Sequence, residues 1–332
     1  MSQKGKTKSS LNIDLKIHFA LQYYCIGGNI MKHNFPTMIT PYKPDGSVDL
    51  ETAKKYVQFY YDRGCTGIFS ICQSSEIAFL SVDERVELNK TVYDYAKSLD
   101  KNMIVVSSGH VADSIEDQAD ELNKIIKSGT DALILITNRL DINNEGDDVW
   151  IENAEKLLKL LPEDVKLGLY ECPLPYKRLV TPKILSWCVK TGRFYYMKDT
   201  CCNIDIIKER LEILKDSHFM LLNANCQTLL ESMRLGGGGY CGIMSNFHPE
   251  LYTWLSKNYE SEKADKLQSL IGTVGFTEQG LPYPLTAKYH MCLEGIETEL
   301  STRKPDGGIL TDYAKDCIRQ MRALANHFKN TL

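Results

Sequence analysis

The chain has 332 residues, 43% hydrophobic and 25% charged, with a formal net charge of -4. That balance is ordinary for a globular protein able to bury a large core, and past the N-terminus it offers no basic stripe for nucleic acid. No run reaches the ~20 apolar residues of a membrane-spanning helix, so neither nucleic acid nor membrane is an expected partner.

Eleven cysteines stand without regular spacing. No Cys-x-x-Cys with a matching histidine pair occurs, so no metal site is expected. A reduced set of this kind fits a cytoplasmic enzyme better than a secreted one.

At the start of the chain, Lys4, Lys6 and Lys8 precede a semi-apolar stretch at 17–26. That stretch holds His18 and Gln22 and lacks a small-residue cleavage site, so it is a poor signal peptide. Residues 1–30 read as an extension outside the fold, and Met31 opens the first strand-like segment. From there, short apolar runs alternate with amphipathic helical stretches. The runs are 35–40, 67–72, 103–107, 132–137, 167–171, 194–197, 220–223 and 240–244. They are continuously apolar rather than alternating, as parallel strands covered by helices are.

Between the runs, 49–63 has helical spacing with Gly64 as its stop. Ser81 with Glu84 forms a capping box before 86–99. Ser114 opens a helix ending near Gly129, and Thr181-Pro182 puts proline in a first helical turn. Lysines and arginines spread along these segments read as solvated faces. Eight strand–helix units without a hairpin predict an α/β fold, a (β/α)8 TIM barrel over 31–248. Residues 249–332 read as a C-terminal helical appendage.

In such barrels chemistry sits where the strands end. Lys198 closes the run Phe194-Tyr195-Tyr196-Met197. Burial favours the neutral form of an amine, the form that attacks a carbonyl. The alternative is a lysine paired with Asp199 or reaching solvent. Tyr170 closes the preceding run as either a proton relay or a satisfied core tyrosine. The turn Cys72-Gln73-Ser74-Ser75-Glu76 offers hydroxyls and N–H groups to a carboxylate, or is simply a polar loop. Gly236 to Gly239 lack the lysine and serine of a phosphate loop and read as a close backbone approach to the last strand.

Together these segments resemble the family of dihydrodipicolinate synthase and N-acetylneuraminate lyase, over nearly all of 31–332. Thr40-Pro41 with Gly46 and Asp49 looks like the family's opening strand and loop. Cys72 to Glu76, followed by Leu80, Ser81 and Glu84, looks like the segment that normally reads Gly-Thr-Thr-Gly-Glu. Tyr170 and Pro173 look like its Tyr-x-x-Pro, and Lys198-Asp199 like its Schiff-base lysine. Gly239 to Asn246 resembles the eighth strand, and Pro284 with Lys288 a later Asn-Pro-x-x-x-Lys.

The resemblance implies that Lys198 attacks a 2-keto acid while Tyr170 moves protons. It implies Gln73, Ser74, Ser75 and Cys241 as substrate contacts, with Arg139 and Asn223 at the mouth. The four residues from Asp141 to Asn144 are further candidates for a polar mouth, or a solvated loop. Cys72, Cys172 and Cys241 are expected near the site. No cofactor is implied, since the imine is itself the electron sink. A homo-oligomer, tetramer or dimer, is implied too.

The sequence departs from the synthase at its second substrate. Gln73 replaces a relay threonine, Arg139 or Leu140 falls where a second relay tyrosine stands, and Pro175 falls near a substrate-binding arginine. The expected function is therefore a Schiff-base lyase, aldolase or dehydratase, on pyruvate or a related 2-keto acid. The alternatives are 4-hydroxy-tetrahydrodipicolinate synthase itself, using aspartate semialdehyde, and a non-catalytic keto-acid binder or scaffold.

Overall fold

The computed structural model describes residues 25–26 and 29–332, with side chains from Met31 onward. A short antiparallel pair, Cys25–Ile26 with Asn29–Ile30, precedes the main fold. The rest of the reading for residues 1–30 lies outside the described residues.

Eight parallel strands follow: β1 His33–Pro36, β2 Gly67–Phe69, β3 Ile104–Ser107, β4 Ala132–Ile136, β5 Leu167–Tyr170, β6 Phe194–Asp199, β7 Met220–Asn223 and β8 Gly239–Gly242. They pair in the order β1-β8-β7-β6-β5-β4-β3-β2. Between β1 and β2 the ring is bridged by Met38 N donating to Phe69 O at 3.0 Å and Thr66 N to Asn34 O at 3.3 Å. The fold is the TIM barrel the sequence predicts.

The helices form where the sequence provides caps. Asp49 caps α1 Leu50–Asp62, Ser81 and Glu84 form the reciprocal box of α2 Val82–Leu99, and Ser114 caps α3 Ile115–Ser128. Next come α4 Asp147–Lys159, α5 Pro182–Thr191 capped by Thr181, α6 Ile204–Leu214, α7 Leu229–Arg234 and α8 Pro249–Asn258. Each cap satisfies an N–H that the first helical turn leaves free. The last elements are all helical: α9 Glu262–Glu278, α10 Leu285–Leu293 and α11 Asp312–Lys329. Among the described residues no helix is long and apolar enough to cross a membrane.

The glycine run acts as read. Gly239 has φ +127°, and a Cβ there would lie 2.0 Å from His33 O, so only glycine lets β8 close on β1.

The strand period of two decides what faces the lumen. Leu133, Leu135, Leu167, Leu169 and Met197 pack outward in one apolar core with α3 to α6. Ile134, Ile136 and Tyr170 turn to the other side, into a core shared with β1, β2 and the C-terminal helices. On β5 and β6 the alternation continues to the strand ends. Tyr170 and Lys198 lie on the lumen side, while Glu171 and Asp199 meet Arg210 from α6.

The reading of the arginines and lysines spread along the helical segments as solvated faces is corrected at several positions. Arg85, Arg178, Arg210 and Lys288 are buried. Each has carboxylate or carbonyl partners that a linear pattern cannot display.

Buried histidines couple this fold to acid. His110, just past β3, donates from Nδ1 to Gln118 Oε1 at 2.8 Å and accepts the Ile136 N–H on Nε2 at 2.7 Å. A proton on Nε2 would break the second bond. Burial holds His33, His110 and His248 down to about 4 each. Unfolded histidine titrates near ~6.5. Below that pH the unfolded chain takes up protons that the fold refuses. This stability is therefore full above about pH 6.5 and lost as pH falls toward 4. At ~1.4 kcal/mol per pH unit and group, the loss is on the order of several kcal/mol. Urea midpoints at pH 7 and pH 5 are expected to differ clearly; equal midpoints would refute the assignment.

Candidate active site

Tyr170 and Lys198 are ladder partners on neighbouring strands, which brings them together at the C-terminal end of the barrel. Lys198 Nζ lies 4.2 Å from the centroid of the Tyr170 ring and 5.7 Å from that of Phe69. The Phe69 and Tyr170 rings meet edge to face at 5.5 Å. Lys198 is 7% exposed, so the amine is reachable but mostly walled in.

The obvious partner for Lys198 is engaged elsewhere. Asp199 bonds Arg210 Nη1 closely and accepts the Cys201 N–H at 3.0 Å. Glu171, beside Tyr170, accepts from Arg210 Nη2 at 2.6 Å and from the N–H groups of Val180 and Thr200 at 2.7 and 2.8 Å. Among the described residues Lys198 Nζ has no carboxylate at ion-pair distance. One arginine on α6 therefore pins the two strand ends that carry Tyr170 and Lys198.

Tyr170 is buried, and burial raises its hydroxyl far above the usual range, with Cys172 and Cys72 adding to the effect. It holds its proton at neutral pH. Three thiols stand nearby. Burial pushes Cys241 up to about 12, with the Lys198 charge pulling the other way. Burial also raises Cys172, opposed by a backbone hydrogen bond from Leu174 and by Lys198. The Cys172 thiol donates to Gln73 Oε1 at 3.4 Å. The ten cysteines with described side chains are all free.

The turn after β2 is a short helical turn, Gln73–Ser75. Its two serines differ. The Ser75 hydroxyl accepts from Cys72 N at 3.1 Å and sits 2.7 and 2.8 Å from the carbonyls of Ser70 and Met38. It is occupied in closing the turn. The Ser74 hydroxyl donates to Thr37 Oγ1 at 3.1 Å. Asn246 Nδ2 donates to Tyr283 Oη at 3.1 Å. Glu76 is buried with φ +61°, and its carboxylate accepts from Thr302 Oγ1 and Arg303 N at 2.8 and 2.6 Å. It ties the turn to the C-terminal region.

The mouth candidates fare differently. Arg139 donates to Ala112 O and to the Asp113 carboxylate, between the loops after β3 and β4. Asn223 lies on the same side of the sheet as Asp199 and faces α7. Its Nδ2 donates to Thr228 and Ser232, and its Oδ1 accepts from Asn225 N. Asp141 is fully buried, where it accepts from Arg178 and the N–H groups of Glu145 and Gly146. Residues 142–144 are exposed. Among the described residues no cluster of three or more His, Cys, Asp or Glu could hold a metal.

Sequence reasoning missed Thr37, Phe69, Tyr283, Asn138 and Arg210. Asn138 Nδ2 reaches the carbonyls of Cys172, Leu174 and Tyr176 at 2.6–2.9 Å, fixing the loop after β5. The Pro282-Tyr283-Pro284 punctuation was the available signal for Tyr283, since prolines flank a residue held in one place.

The dihydrodipicolinate synthetase family profile matches residues 31–324. The chain belongs to this family. Among curated relatives, the 4-hydroxy-tetrahydrodipicolinate synthase of Shewanella denitrificans is 23% identical over 283 residues, covering 83% of this chain and 92% of that protein. The enzyme of the same name from Haloarcula marismortui is 24% identical, covering 65% and 68%. Among solved structures, a monomeric dihydrodipicolinate synthase variant superimposes with a TM-score of 0.79 at 17% identity, covering 89% of this chain and 97% of that one. A prophage protein of this synthase family from E. coli K12, in complex with pyruvate, gives 0.76 at 18%, with 89% and 97% covered.

In the loop after β5, Pro175 is uncharged. The neighbouring Arg178 is engaged, because Asp141 and Asp147 hold its guanidinium at 2.9 and 2.8 Å. Lys177 turns to Thr200 O at 2.9 Å.

Proposed function

We propose that this protein is a Schiff-base lyase acting on pyruvate or a related 2-keto acid, with Lys198 as nucleophile. One observation carries the reading. The Lys198 amine faces Tyr170 across adjacent strand ends, while the neighbouring Asp199 is held by Arg210.

The chemistry follows from those groups. The amine adds to the C2 carbonyl to give a carbinolamine. Tyr170 then protonates the departing hydroxyl, which leaves as water, and the protonated imine remains. That cation accepts the electron pair of the C3–H bond as the proton passes to the Tyr170 oxygen, or the pair of a C3–C bond as the substituent departs as a carbonyl compound, and an enamine forms. The enamine then adds to an aldehyde, expels a leaving group, or is reprotonated. Ser74 and Gln73 are proposed to receive the carboxylate, and Cys241 to wall the keto acid's side. Arg139 is proposed to stand at the rim.

The test is borohydride trapping in the presence of pyruvate, read as intact mass, with Lys198→Ala as control. A reduced adduct on the wild type that the variant lacks is expected. If neither pyruvate nor a panel of longer keto acids traps, the reading is lost.

A second reading, 4-hydroxy-tetrahydrodipicolinate synthase, is favoured by the names of the curated relatives. It requires a receiver for the second substrate's carboxylate. With Pro175 uncharged and Arg178 held by two aspartates, we place it second. Turnover of pyruvate with aspartate semialdehyde would reverse that order.

A further inference from the structure

Three serines gather where β2 and β3 end, and two of them are satisfied. Ser70 Oγ and Ser107 Oγ both donate to Asn89 Oδ1 on α2, at 2.6 and 2.5 Å. The third, Ser108, is fully buried, and its hydroxyl has no partner among the described residues.

Its neighbours fix the side it faces. Ser107 faces α2, and a Cβ on Gly109 would lie 2.3 Å from Ile125 Cγ1 on α3. Both flanking positions therefore face the helices. The residue between them faces the other way, into the lumen. Ser108 still follows the sheet, since its N–H donates to Ile71 O at 3.0 Å. Ile71 directly precedes the turn that begins at Cys72. Val106, the previous lumen position on this strand, is the ladder partner of Phe69. The Phe69 ring meets the Tyr170 ring at 5.5 Å, and its centroid is 5.7 Å from Lys198 Nζ. Ser108 is thus the next lumen position toward the mouth from the ring that touches the nucleophile.

A hydroxyl buried without a partner destabilises a fold, so its natural complement is a group that arrives with the ligand. Schiff-base chemistry says which group. Once the imine forms, the C2 oxygen has left as water. The carboxylate oxygens belong to the turn after β2. Pyruvate then has no oxygen left to offer. An aldehyde that adds to the enamine does bring one. The C3–C4 bond forms from the enamine's electron pair and the imine returns. The aldehyde oxygen takes the proton that Tyr170 removed from C3 and becomes a C4 hydroxyl.

We infer that Ser108 is a specificity-determining residue, its hydroxyl bonding an oxygen on C4 of a hydroxylated 2-keto acid. The inference deepens the Schiff-base reading and rests on it. It narrows the substrate to a keto acid that carries an oxygen past C3.

The experiment uses a matched pair, 4-hydroxy-2-oxopentanoate and 2-oxopentanoate, which differ only by the C4 oxygen. Both compete for the full-length chain under borohydride, and intact mass gives the ratio of adducts. Any pyruvyl adduct left by cleavage of the hydroxylated acid is counted with it. Wild type is expected to favour the hydroxylated acid. Ser108→Ala is expected to reduce that preference by about 3- to 10-fold, the worth of one neutral hydrogen bond. No internal bond is lost, so this variant should melt no lower than wild type. Ser107→Ala is the control. It breaks the bond to Asn89, so it should melt lower and keep the wild-type preference.

A Ser108→Ala ratio within about twofold of wild type would overturn the inference and leave the Schiff-base reading intact. So would a fall in melting temperature as large as that of Ser107→Ala, because the hydroxyl would then be paired within the fold. If neither alanine variant folds, Ser108→Cys, close in size and a weak donor, decides by the adduct ratio alone. A wild-type ratio there overturns the inference. A wild type that traps no keto acid overturns both.

Discussion

Replacing Lys198 by arginine is expected to abolish turnover while leaving keto-acid binding measurable. A guanidinium stays protonated at any pH the fold survives, so it cannot attack a carbonyl. It keeps the positive charge and the length. The contacts with the faces of Tyr170 and Phe69, at 4.2 and 5.7 Å in the wild type, can persist as cation–π contacts. Loss of a covalent nucleophile costs roughly 10⁴-fold or more in turnover. Binding is read separately, as the rise in melting temperature with added pyruvate, since a ligand that binds only the folded state stabilises it. The pair of readouts separates two kinds of protein. An enzyme loses turnover and keeps the shift. A non-catalytic binder shows the shift in both forms and turnover in neither. An arginine variant with retained turnover would remove Lys198 from the mechanism.

How much of this was legible beforehand depends on whether the informative residue is apolar or polar. The run 220–223 was read to the residue, because four apolar or amide positions ended in a clear turn. The run 194–197 was cut short, since β6 continues through Lys198 and Asp199. Two charged residues look like an exit from the sheet. They remain in the ladder because Asp199 finds Arg210, eleven residues ahead on a helix, and because Lys198 pairs in register with Tyr170 and Leu222. The run 240–244 erred the other way. Strand β8 ends at Gly242, and Ile243–Asn246 wind into a short helical turn. Apolar runs of this length do not distinguish the two conformations.

The site shows the same division. Lys198 and Tyr170 could be located because strand ends are where barrel chemistry gathers. The residues that hold them could not, because each acts across sequence distance. Asn138 reaches the loop after β5, Tyr283 meets Asn246 past the end of β8, and Arg210 reaches both strand ends. Apart from the prolines beside Tyr283, nothing in their own neighbourhoods marks them. Arg210 sits in an amphipathic helix and reads as one more solvated charge.

Arg210→Met tests whether that buried cation carries the site's geometry. Breaking a buried ion pair by removing one partner costs about 3–5 kcal/mol, because the remaining charges stay desolvated. Here Glu171 and Asp199 would both be left, and both are fully buried. Burial already raises the Glu171 carboxyl, and the Arg210 charge is the main force holding it down. Without Arg210 it rises further. A carboxyl raised in the fold contributes stability that is full below its unfolded value of ~4.3 and lost as pH climbs through the folded one. The penalty of Arg210→Met is therefore expected to be large at pH 7.5 and to shrink toward pH 5. The histidine effect is common to both proteins and cancels in the difference. Urea unfolding of wild type and variant across that range measures it. A penalty below about 1 kcal/mol, the scale of an exposed pair, would mean that the triad adds little to the fold. A penalty that did not change with pH would mean that the loss is one of packing rather than of charge. If the charge argument holds, adduct formation in Arg210→Met should weaken along with stability, because Tyr170 and Lys198 are the next residues along the same two strands.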